Sequence, residues 1–221
     1  MQEKVRSIHD KLRAYENSGM RMFSTCSFQT HSIALLHILS IAQTPIDIYF
    51  INTGFHFPET LQYRDMLSAI LGITVHTVSS PVSKSMQRDT NGNLLYASAP
   101  DLCCYLNKTQ VAENLLREYD VWVNGVRASQ SEYRSQMQTE QAASNIAVRY
   151  HPMLHWSSKE IYEYLTQNNL PTHPLHLKGY YSIGCEPCTS NANCDTDRSG
   201  RWQGLKKTEC GLNTDLIKMN I

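Results

Sequence analysis

Short apolar segments rich in β-branched and aromatic residues alternate along this chain with segments of helical periodicity. The segments predicted to form strands are 21–28, 46–52, 73–78 and 121–125. The segments predicted to form helices are 3–17, 32–42, 58–71, 102–119 and 155–165, whereas 79–100 is predicted to be mainly loop. This alternation favours an α/β fold in which helices flank a mostly parallel sheet on both faces.

The length of 221 residues suits one compact α/β domain with a core of its own. After Pro171 the apolar periodicity fades, and the remaining residues are rich in glycine and cysteine. Within the single domain we therefore distinguish an α/β unit, 1–170, from a loop-rich, cysteine-rich segment and tail, 171–221.

Three predicted loops follow strands and are expected to meet at one edge of the sheet. They are Ser24–Ser32, Asn52–Pro58 and Asn124–Arg127. Ligands of parallel sheets bind beyond the carboxyl ends of the strands, so these loops predict a ligand crevice. The first loop is rich in hydroxyl groups, which together with backbone N–H groups can hold an anion. It has no Gly-Lys-Ser/Thr ending and no acidic residue for magnesium, which argues against a Walker-type loop.

The charge balance limits the classes of partner. The chain has 20 basic and 20 acidic residues, so a nucleic-acid backbone or an anionic membrane surface is not an expected partner. No apolar run of about eighteen residues predicts a transmembrane helix, and the charged N-terminal segment lacks the apolar core of a signal peptide. We therefore expect a cytoplasmic, reducing compartment, where cysteines more often bind metals or catalyse than form disulfides.

Four of the seven cysteines form two close pairs, Cys103-Cys104 and Cys185-x-x-Cys188. Four thiolates can bind zinc or an iron–sulfur cluster. Adjacent side chains diverge on a helix or a strand, so two neighbouring cysteines converge poorly on one small ion. A cluster offers separate metal corners, which favours [4Fe-4S] while leaving zinc open. The tandem pair could also be two buried small side chains.

The other three cysteines lie outside these pairs. Cys26 is expected to be a packing residue, and Cys194 has no assigned role. Cys210 follows Lys206 and Lys207, and basic neighbours lower a thiol pKa and favour the nucleophilic thiolate. We therefore expect Cys210 to be a nucleophile, the alternative being an incidental cysteine in a disordered tail.

Several cationic side chains could hold an anion. Arg127, Arg134, Arg198 and Arg201 lie in predicted loops, and guanidinium groups suit sulfate or phosphate. Lys108 is one helical turn beyond Cys104 and could place its charge beside an anionic cluster. Ordinary solvated surface charge is the alternative for each of them.

Taken together, these motifs resemble the assimilatory adenylyl-sulfate and phosphoadenylyl-sulfate reductases, in their iron–sulfur branch. The resemblance extends from about Ser24 to Leu212. The matching segments are NTGFHFPET (52–60), DLCCYLNK (101–108), VWVNGVRASQS (121–131), YYSIGCEPCT (180–189), GRW (200–202) and KTECGL (207–212).

The resemblance implies an adenine nucleotide α-hydrolase-like fold with a mobile C-terminal tail. It makes 1–170 a nucleotide-binding unit and 171–221 the segment that carries the catalytic tail. It implies that Cys103, Cys104, Cys185 and Cys188 hold [4Fe-4S], with Lys108 as the charged neighbour of the cluster. The residues that it implies for substrate binding are Ser24, Ser27, Thr53, Gly54, Arg127, Arg198 and Arg201.

The implied reaction is the reduction of adenylyl sulfate in sulfate assimilation and cysteine biosynthesis. Cys210 would attack the sulfur and expel AMP, and thioredoxin or glutaredoxin would release sulfite from the resulting S-sulfocysteine. A homo-oligomer is expected. The alternatives are a reductase of phosphoadenylyl sulfate or of both substrates, an ATP-dependent sulfur transferase of the same fold, and a non-catalytic zinc protein.

The chain departs from the family pattern at three places. The loop Ser27–Ser32 lacks the glycines and the acid of many relatives. Asn52 stands where relatives usually have Asp, and Asn213 stands where they have His. These changes affect the expected nucleotide contacts and the docking of the tail, but not the four paired cysteines or Cys210.

Overall fold

The computed structural model describes residues 1–143, 147–191, 198, 200–205, 207–214 and 216. Within these residues the strands are β1 (Met22–Thr25), β2 (Asp47–Ile51), β3 (Val75–Val78), β4 (Val121–Val123), β5 (Glu140–Ala143) and β6 (Ala147–Tyr150). They form one sheet in the order β3-β2-β1-β4-β6-β5. All neighbours are parallel except β5 and β6, which pair antiparallel at one edge. The predicted α/β fold with a mostly parallel sheet is thereby confirmed.

Helices flank this sheet. The α-helices of the described residues are α1 (Gln2–Asn17), α2 (Ser32–Ser40), α3 (Pro58–Leu71), α4 (Leu95–Ser98), α5 (Pro100–Cys104), α6 (Gln110–Leu116), α7 (Glu132–Ser135), α8 (Ser158–Gln167) and α9 (Gly211–Thr214). Single 3₁₀ turns occur at Lys84–Met86, Ala128–Gln130, Pro174–Lys178 and Glu186–Cys188. None of the helices in this part of the chain is both long and apolar enough to cross a membrane.

Local sequence signals explain where the main helices begin and end. Pro58 occupies the first turn of α3, where its missing N–H costs nothing. Gly72 ends that helix with φ 62°, a left-handed conformation that glycine adopts without strain. Ser157 and Glu160 form a reciprocal capping box at the start of α8. These boundaries agree with the sequence predictions.

Each face of the sheet packs against its own apolar cluster. Val121 and Val123 of β4 belong to the cluster that includes α1, α2, α3 and α8. Trp122, which points the other way, belongs to the cluster that contains Phe23 and the apolar face of α6. Because successive strand residues alternate between faces, the uniformly apolar VWV segment is buried on both sides.

The structure adds features that the sequence predictions lacked. The strands β5 and β6 fall in a region for which no strand was predicted. The segment predicted as loop at 79–100 contains α4 and an isolated bridge between Arg88 and Leu94. The predicted helix over 102–119 exists, but Tyr105–Thr109 is a π-helical turn between α5 and α6. Such turns widen a helix locally and often occur at functional sites.

Candidate active site

A pocket opens at the carboxyl edge of the sheet, where β1, β2 and β4 end side by side. Loop residues after β1 line it, and so do Asn124 after β4, the β6 residue Arg149 and residues of the C-terminal segment. Among the latter is Cys210, the predicted nucleophile. The predicted crevice therefore exists, and it brings the tail into contact with the strand ends.

The glycine-free loop after β1 turns in an unusual way. Phe28 adopts φ 54°, in the left-handed region, although it is not glycine. Its side chain is fully buried and packs edge-on against Phe50, which compensates for the strained backbone. Ser27 on one side of Phe28 and Gln29 on the other both line the pocket. The buried Phe28 ring thus holds this loop in a left-handed backbone conformation that is more often adopted by glycine.

The four paired cysteines line one small cavity beside the pocket. Cys103 and Cys104 end α5, directly before the π-helical turn. Cys185 and Cys188 stand at the two ends of a 3₁₀ turn that is closed by a hydrogen bond from the Cys188 N–H to the Cys185 carbonyl at 3.0 Å. Two local turns that are far apart in sequence therefore place the four cysteines around the same space.

Polar groups surround these sulfurs. The Oγ1 atom of Thr53 lies 3.2 Å from the Cys185 sulfur, and the Asn107 amide lies 3.6 Å from the Cys103 sulfur. Cys185 also forms an antiparallel bridge with His56, which ties the Cys-x-x-Cys segment to the loop after β2. Burial raises the pKa of the Cys103 thiol and of the Cys188 thiol.

The four paired cysteines border a common cavity. In the described ranges, no group of three or more His, Cys, Asp or Glu side chains converges closely enough to hold one metal ion.

Lys108 lies between the two spaces. It is the basic residue of the π-helical turn, and its side chain lines both the pocket and the cysteine cavity. Burial lowers the pKa of Lys108, but electrostatic interaction with Cys185, Cys210 and Cys104 outweighs it and raises the pKa above its usual value. Lys108 is therefore a charged side chain common to the cavity and the pocket.

Cys210 is half-buried at the boundary between these spaces. A hydrogen bond from the Cys104 thiol, together with the charges of Lys108 and Arg201, lowers the pKa of Cys210 well below its usual value despite burial. The same contact and burial raise the pKa of Cys104. A lysine–carboxylate ion pair between Lys207 and Asp101 holds the preceding part of the tail against α5.

Glu209 anchors the tail. Its carboxylate accepts two hydrogen bonds from Arg134, both at 2.8 Å, and one from Arg198 at 3.1 Å. The Ser131 hydroxyl and the Cys210 N–H donate to the same carboxylate. Burial raises the pKa of Glu209, but the hydrogen bonds and charges of the two arginines prevail and hold it at about 2.

A second anchor begins three residues later, at Leu212. Arg149 donates to the Leu212 carbonyl at 2.7 Å and to Asn213 Oδ1 at 2.6 Å, while its guanidinium stacks over Trp122. Asn213 Nδ2 in turn donates to Glu209 at 3.1 Å. Asn213, one of the positions at which this chain departs from the family pattern, thus makes hydrogen bonds that dock the tail.

The structure places the predicted substrate-binding residues in different environments, and only some of them line the pocket. Ser27, Arg198 and Arg201 line the pocket. Ser24 is buried inside β1 and is not part of the lining, and Thr53 faces the cysteine cavity instead. Gly54 packs against the side chain of Lys84 with φ 72°.

Asn52, two residues before Gly54 in the same turn, also has a local role. The Asn52 side chain accepts a hydrogen bond from the Gly54 N–H at 2.9 Å, as an Asp would. This departure from the family pattern therefore preserves the turn after β2.

The predicted pocket residue Arg127 lies behind the pocket rather than in its lining. Its guanidinium is 1% exposed and contacts His31 Nδ1 at 3.0 Å and Ser158 Oγ at 2.9 Å. Cys26, predicted as a packing residue, is buried and borders the pocket. Cys194 and Lys206 lie outside the described residues.

Sequence reasoning missed the roles of Glu209 and Arg149. A buried acid–base pair across 75 residues leaves no local pattern. Arg149 lies on a strand that was not predicted. Asn124, the first residue of a predicted crevice loop, does line the pocket.

The fold and the site define a class: a parallel α/β protein of the adenine nucleotide α-hydrolase-like type, with a cysteine cavity beside its ligand pocket. Residues 21–191 match the phosphoadenosine phosphosulfate reductase domain. The chain belongs to this family, a family of oxidoreductases, as the sequence motifs had indicated.

Curated relatives and a solved structure agree with this assignment. The chain is 35% identical to the adenosine 5'-phosphosulfate reductase of Oceanobacillus iheyensis, over 91% of this chain and 85% of the relative. It is 36% identical to the phosphoadenosine 5'-phosphosulfate reductase of Gloeobacter violaceus, over 88% and 83%. The phosphoadenylyl-sulfate reductase structure from Candida auris shares the fold, with a TM-score of 0.67 at 22% identity, covering 87% of this chain and 98% of that one.

Proposed function

We propose that this protein reduces adenylyl sulfate to sulfite and AMP, with Cys210 as the nucleophile. The Cys210 thiolate attacks the sulfur of the substrate, a sulfur–sulfur bond forms, and the bond from sulfur to the phosphate oxygen breaks. AMP leaves with that electron pair. An external thiol then attacks the Cys210 sulfur, sulfite departs, and a mixed disulfide between Cys210 and the reductant forms. A second thiol of the reductant resolves it, so that Cys210 is released as a thiol and the reductant ends as a disulfide.

One observation carries this proposal: Cys210 lines the pocket beside the cations Lys108 and Arg201. Both cations favour the thiolate of Cys210. Cationic side chains at this position also stabilise charge on the departing phosphate. The relative from Oceanobacillus iheyensis carries the name of the same activity.

For substrate binding we propose Ser27, Arg198 and Arg201 as direct contacts, because they line the pocket. Ser24, Thr53, Gly54 and Arg127 would support the site from behind it. Arg198 donates a hydrogen bond to the Glu209 carboxylate, so the substrate anion would compete with this carboxylate for the Arg198 guanidinium. In this scheme, 1–170 is the nucleotide-binding unit and 171–221 carries the catalytic tail.

We further propose that Cys103, Cys104, Cys185 and Cys188 hold a [4Fe-4S] cluster. The cavity that the four cysteines share supports this donor set. When bound, the cluster supplies a local charge beside the pocket. Lys108 is the residue of this chain that borders both, and its ammonium would balance that charge.

The physiological setting follows from the reaction. A thiol reductant such as thioredoxin or glutaredoxin would complete the cycle in the cytoplasm, and the protein would act as a homo-oligomer in sulfate assimilation. Among the described residues, the other thiols near Cys210 are Cys104, which the proposal assigns to the cluster, and the buried Cys26, whose pKa burial raises to about 11. The proposal therefore takes the reducing thiol from an external protein.

The central test replaces Cys210 by Ser. The variant should bind adenylyl sulfate but form no sulfite, and mass spectrometry of the wild-type protein without reductant should detect one sulfite adduct on Cys210. Cys26→Ser is the matched control, since it removes another pocket thiol and should retain sulfite formation. Sulfite formation at the wild-type rate by Cys210→Ser would refute the mechanism.

A second candidate substrate is phosphoadenylyl sulfate, alone or in addition. The family description and the name of the Gloeobacter violaceus relative favour it. The two substrates differ by a 3′-phosphate. Measuring kcat/KM for both on one preparation distinguishes them, and a ratio that favours phosphoadenylyl sulfate would replace the first proposal.

A further inference from the structure

Asn124 occupies a distinctive position in the pocket. It is the first residue after β4, and its N–H donates to the Tyr150 carbonyl of the neighbouring strand β6 at 3.0 Å. Only 5% of its surface is exposed, yet it belongs to the pocket lining. The hydrogen bond to β6 therefore fixes the backbone of Asn124, while its side chain belongs to the pocket lining.

The side-chain amide of Asn124 lacks hydrogen-bond partners. Neither Oδ1 nor Nδ2 bonds to any group among the described residues, and both atoms are buried. The other buried asparagine amides, those of Asn107 and Asn213, are bonded. A buried polar group without a partner is costly, and native proteins keep very few. A pocket amide with one free donor and one free acceptor indicates a ligand with the complementary pair.

The parts of a sulfonucleotide differ in what they can offer. A phosphosulfate only accepts hydrogen bonds, so it would satisfy Nδ2 and leave Oδ1 unpaired. An adenine edge presents an amino donor next to a ring-nitrogen acceptor, in the spacing and plane of an asparagine amide. Apolar side chains suited to a flat base line the same pocket: Ile51, Trp122 and Val126.

We propose that Asn124 determines base specificity: Oδ1 accepts from the 6-amino group of adenine while Nδ2 donates to the adjacent N7. This inference rests on the proposed sulfonucleotide function and assigns the nucleoside end of its site. At the same edge hypoxanthine presents two acceptors, its carbonyl oxygen and N7, so Oδ1 of Asn124 would lack a donor in either orientation of the amide.

The test measures equilibrium binding of AMP and IMP to the full-length protein, by calorimetry. The wild type should bind AMP about tenfold to a hundredfold more tightly than IMP. Asn124→Leu, which has a similar shape and no polar atoms, should bring the two affinities close together. Asn124→Asp should weaken AMP binding too, because it has no donor. Thr60→Val is the control: it removes a buried hydrogen bond to His173 outside the pocket and should leave the AMP/IMP ratio unchanged.

The melting temperature of Asn124→Leu provides a second readout. Since an unpartnered amide is replaced by an apolar group, ligand-free Asn124→Leu should be at least as stable as the wild type. An unchanged AMP/IMP ratio in a folded Asn124→Leu would overturn the inference. So would a change confined to the affinities of 2′-deoxy-AMP or 3′-deoxy-AMP, which would assign Asn124 to the ribose.

Failure of the inference is distinguishable from failure of the proposed function. If Asn124→Leu keeps the wild-type base preference and the wild type forms sulfite through Cys210, only the role of Asn124 is wrong. If the wild-type protein binds neither AMP nor adenylyl sulfate, the proposed function fails, and the inference fails with it.

Discussion

Arg134 and Glu209 form a doubly hydrogen-bonded ion pair across 75 residues of sequence, with both contacts at 2.8 Å. Their side chains are 9% and 5% exposed. Arg134 belongs to α7, whereas Glu209 directly precedes Cys210. The pair therefore fixes the residue next to the proposed nucleophile against the α/β unit, and the position of Cys210 depends on it.

Replacing Glu209 by Gln should release the tail. The change leaves Arg134 and Arg198 buried with an uncharged partner, and breaking a buried pair in this way costs about 3–5 kcal/mol. We expect kcat for sulfite formation to fall at least tenfold, and limited proteolysis should cleave the tail faster. Cleavage rates and sulfite formation are measured on the same preparations.

The matched control for that variant is Glu163→Gln on α8. Glu163 forms an exposed pair with Lys159 at 3.8 Å, which contributes about 0.5 kcal/mol or less. It should leave both measurements unchanged. A Glu209→Gln protein with wild-type tail protection and wild-type kcat would show that the ion pair does not position Cys210.

Asn213 should tolerate His better than Ala. Burial lowers the pKa of Arg149 to about 9, so this guanidinium depends on its acceptors, one of which is Asn213 Oδ1. Asn213→Ala leaves a buried donor unsatisfied, at a cost of about 1–3 kcal/mol. In Asn213→His, one ring nitrogen can accept from Arg149 while the other donates to Glu209.

The measurement is kcat for sulfite formation, together with the urea midpoint of each variant. We expect Asn213→Ala to lose about fivefold to a hundredfold in kcat, and Asn213→His to lose less. An Asn213→Ala variant as active as the wild type would mean that the second anchor is dispensable for docking the tail.

Loss of any one of the paired cysteines should remove the cluster. For Cys185→Ser we expect a large drop in bound iron and acid-labile sulfide after anaerobic purification, together with loss of the broad visible absorption band. Cys26→Ser is the control, because Cys26 borders the pocket but not the cysteine cavity. Wild-type protein with one zinc ion and no iron would contradict the proposed cluster.

The sequence predicted those elements that carry their own local signals. Pro58, Gly72 and the Ser157 capping box mark helix ends by backbone chemistry that needs no tertiary partner. The apolar VWV segment identified β4 because a strand buried on both faces must be apolar throughout. The strands β5 and β6 carry no such pattern: EQAA and AVRY are short, and alanine and glutamate do not favour strands.

In the site, too, features with a local sequence signal were predictable and features that depend on tertiary contacts were not. The proximity of the cysteine pairs could be predicted because two close spacings in a chain expected in a reducing compartment suggest one metal site, and the four cysteines do line one cavity. The contacts of Arg134, Arg149 and Glu209 could not, because they depend on where a tail of irregular structure meets the sheet edge. Arg127 shows the converse: it lies in a matching motif after β4, but its side chain turns toward His31 and Ser158, away from the pocket.

Lowering the pH below neutral should decrease the free energy of unfolding, and the buried side chain of His173 is one cause. Its Nδ1 accepts from the Leu175 N–H at 3.1 Å, and its Nε2 donates to Thr60 Oγ1 at 3.0 Å, so the ring is neutral in the folded protein. Burial lowers the pKa of His173 to about 4, below the value of about 6.5 for an unfolded chain. The unfolded state therefore binds the proton more readily.

This stability contribution is complete above about pH 6.5 and is lost as the pH falls toward 4, at about 1.4 kcal/mol per pH unit. His151, whose pKa burial lowers to about 3, adds a loss of the same sign. His173→Asn keeps a cap for the Leu175 N–H and does not titrate, so its unfolding free energy should fall less steeply between pH 7 and 5. In urea titrations the exposed His155→Asn variant should keep the wild-type slope, and an equally steep slope for His173→Asn would exclude His173 as a source of the pH dependence.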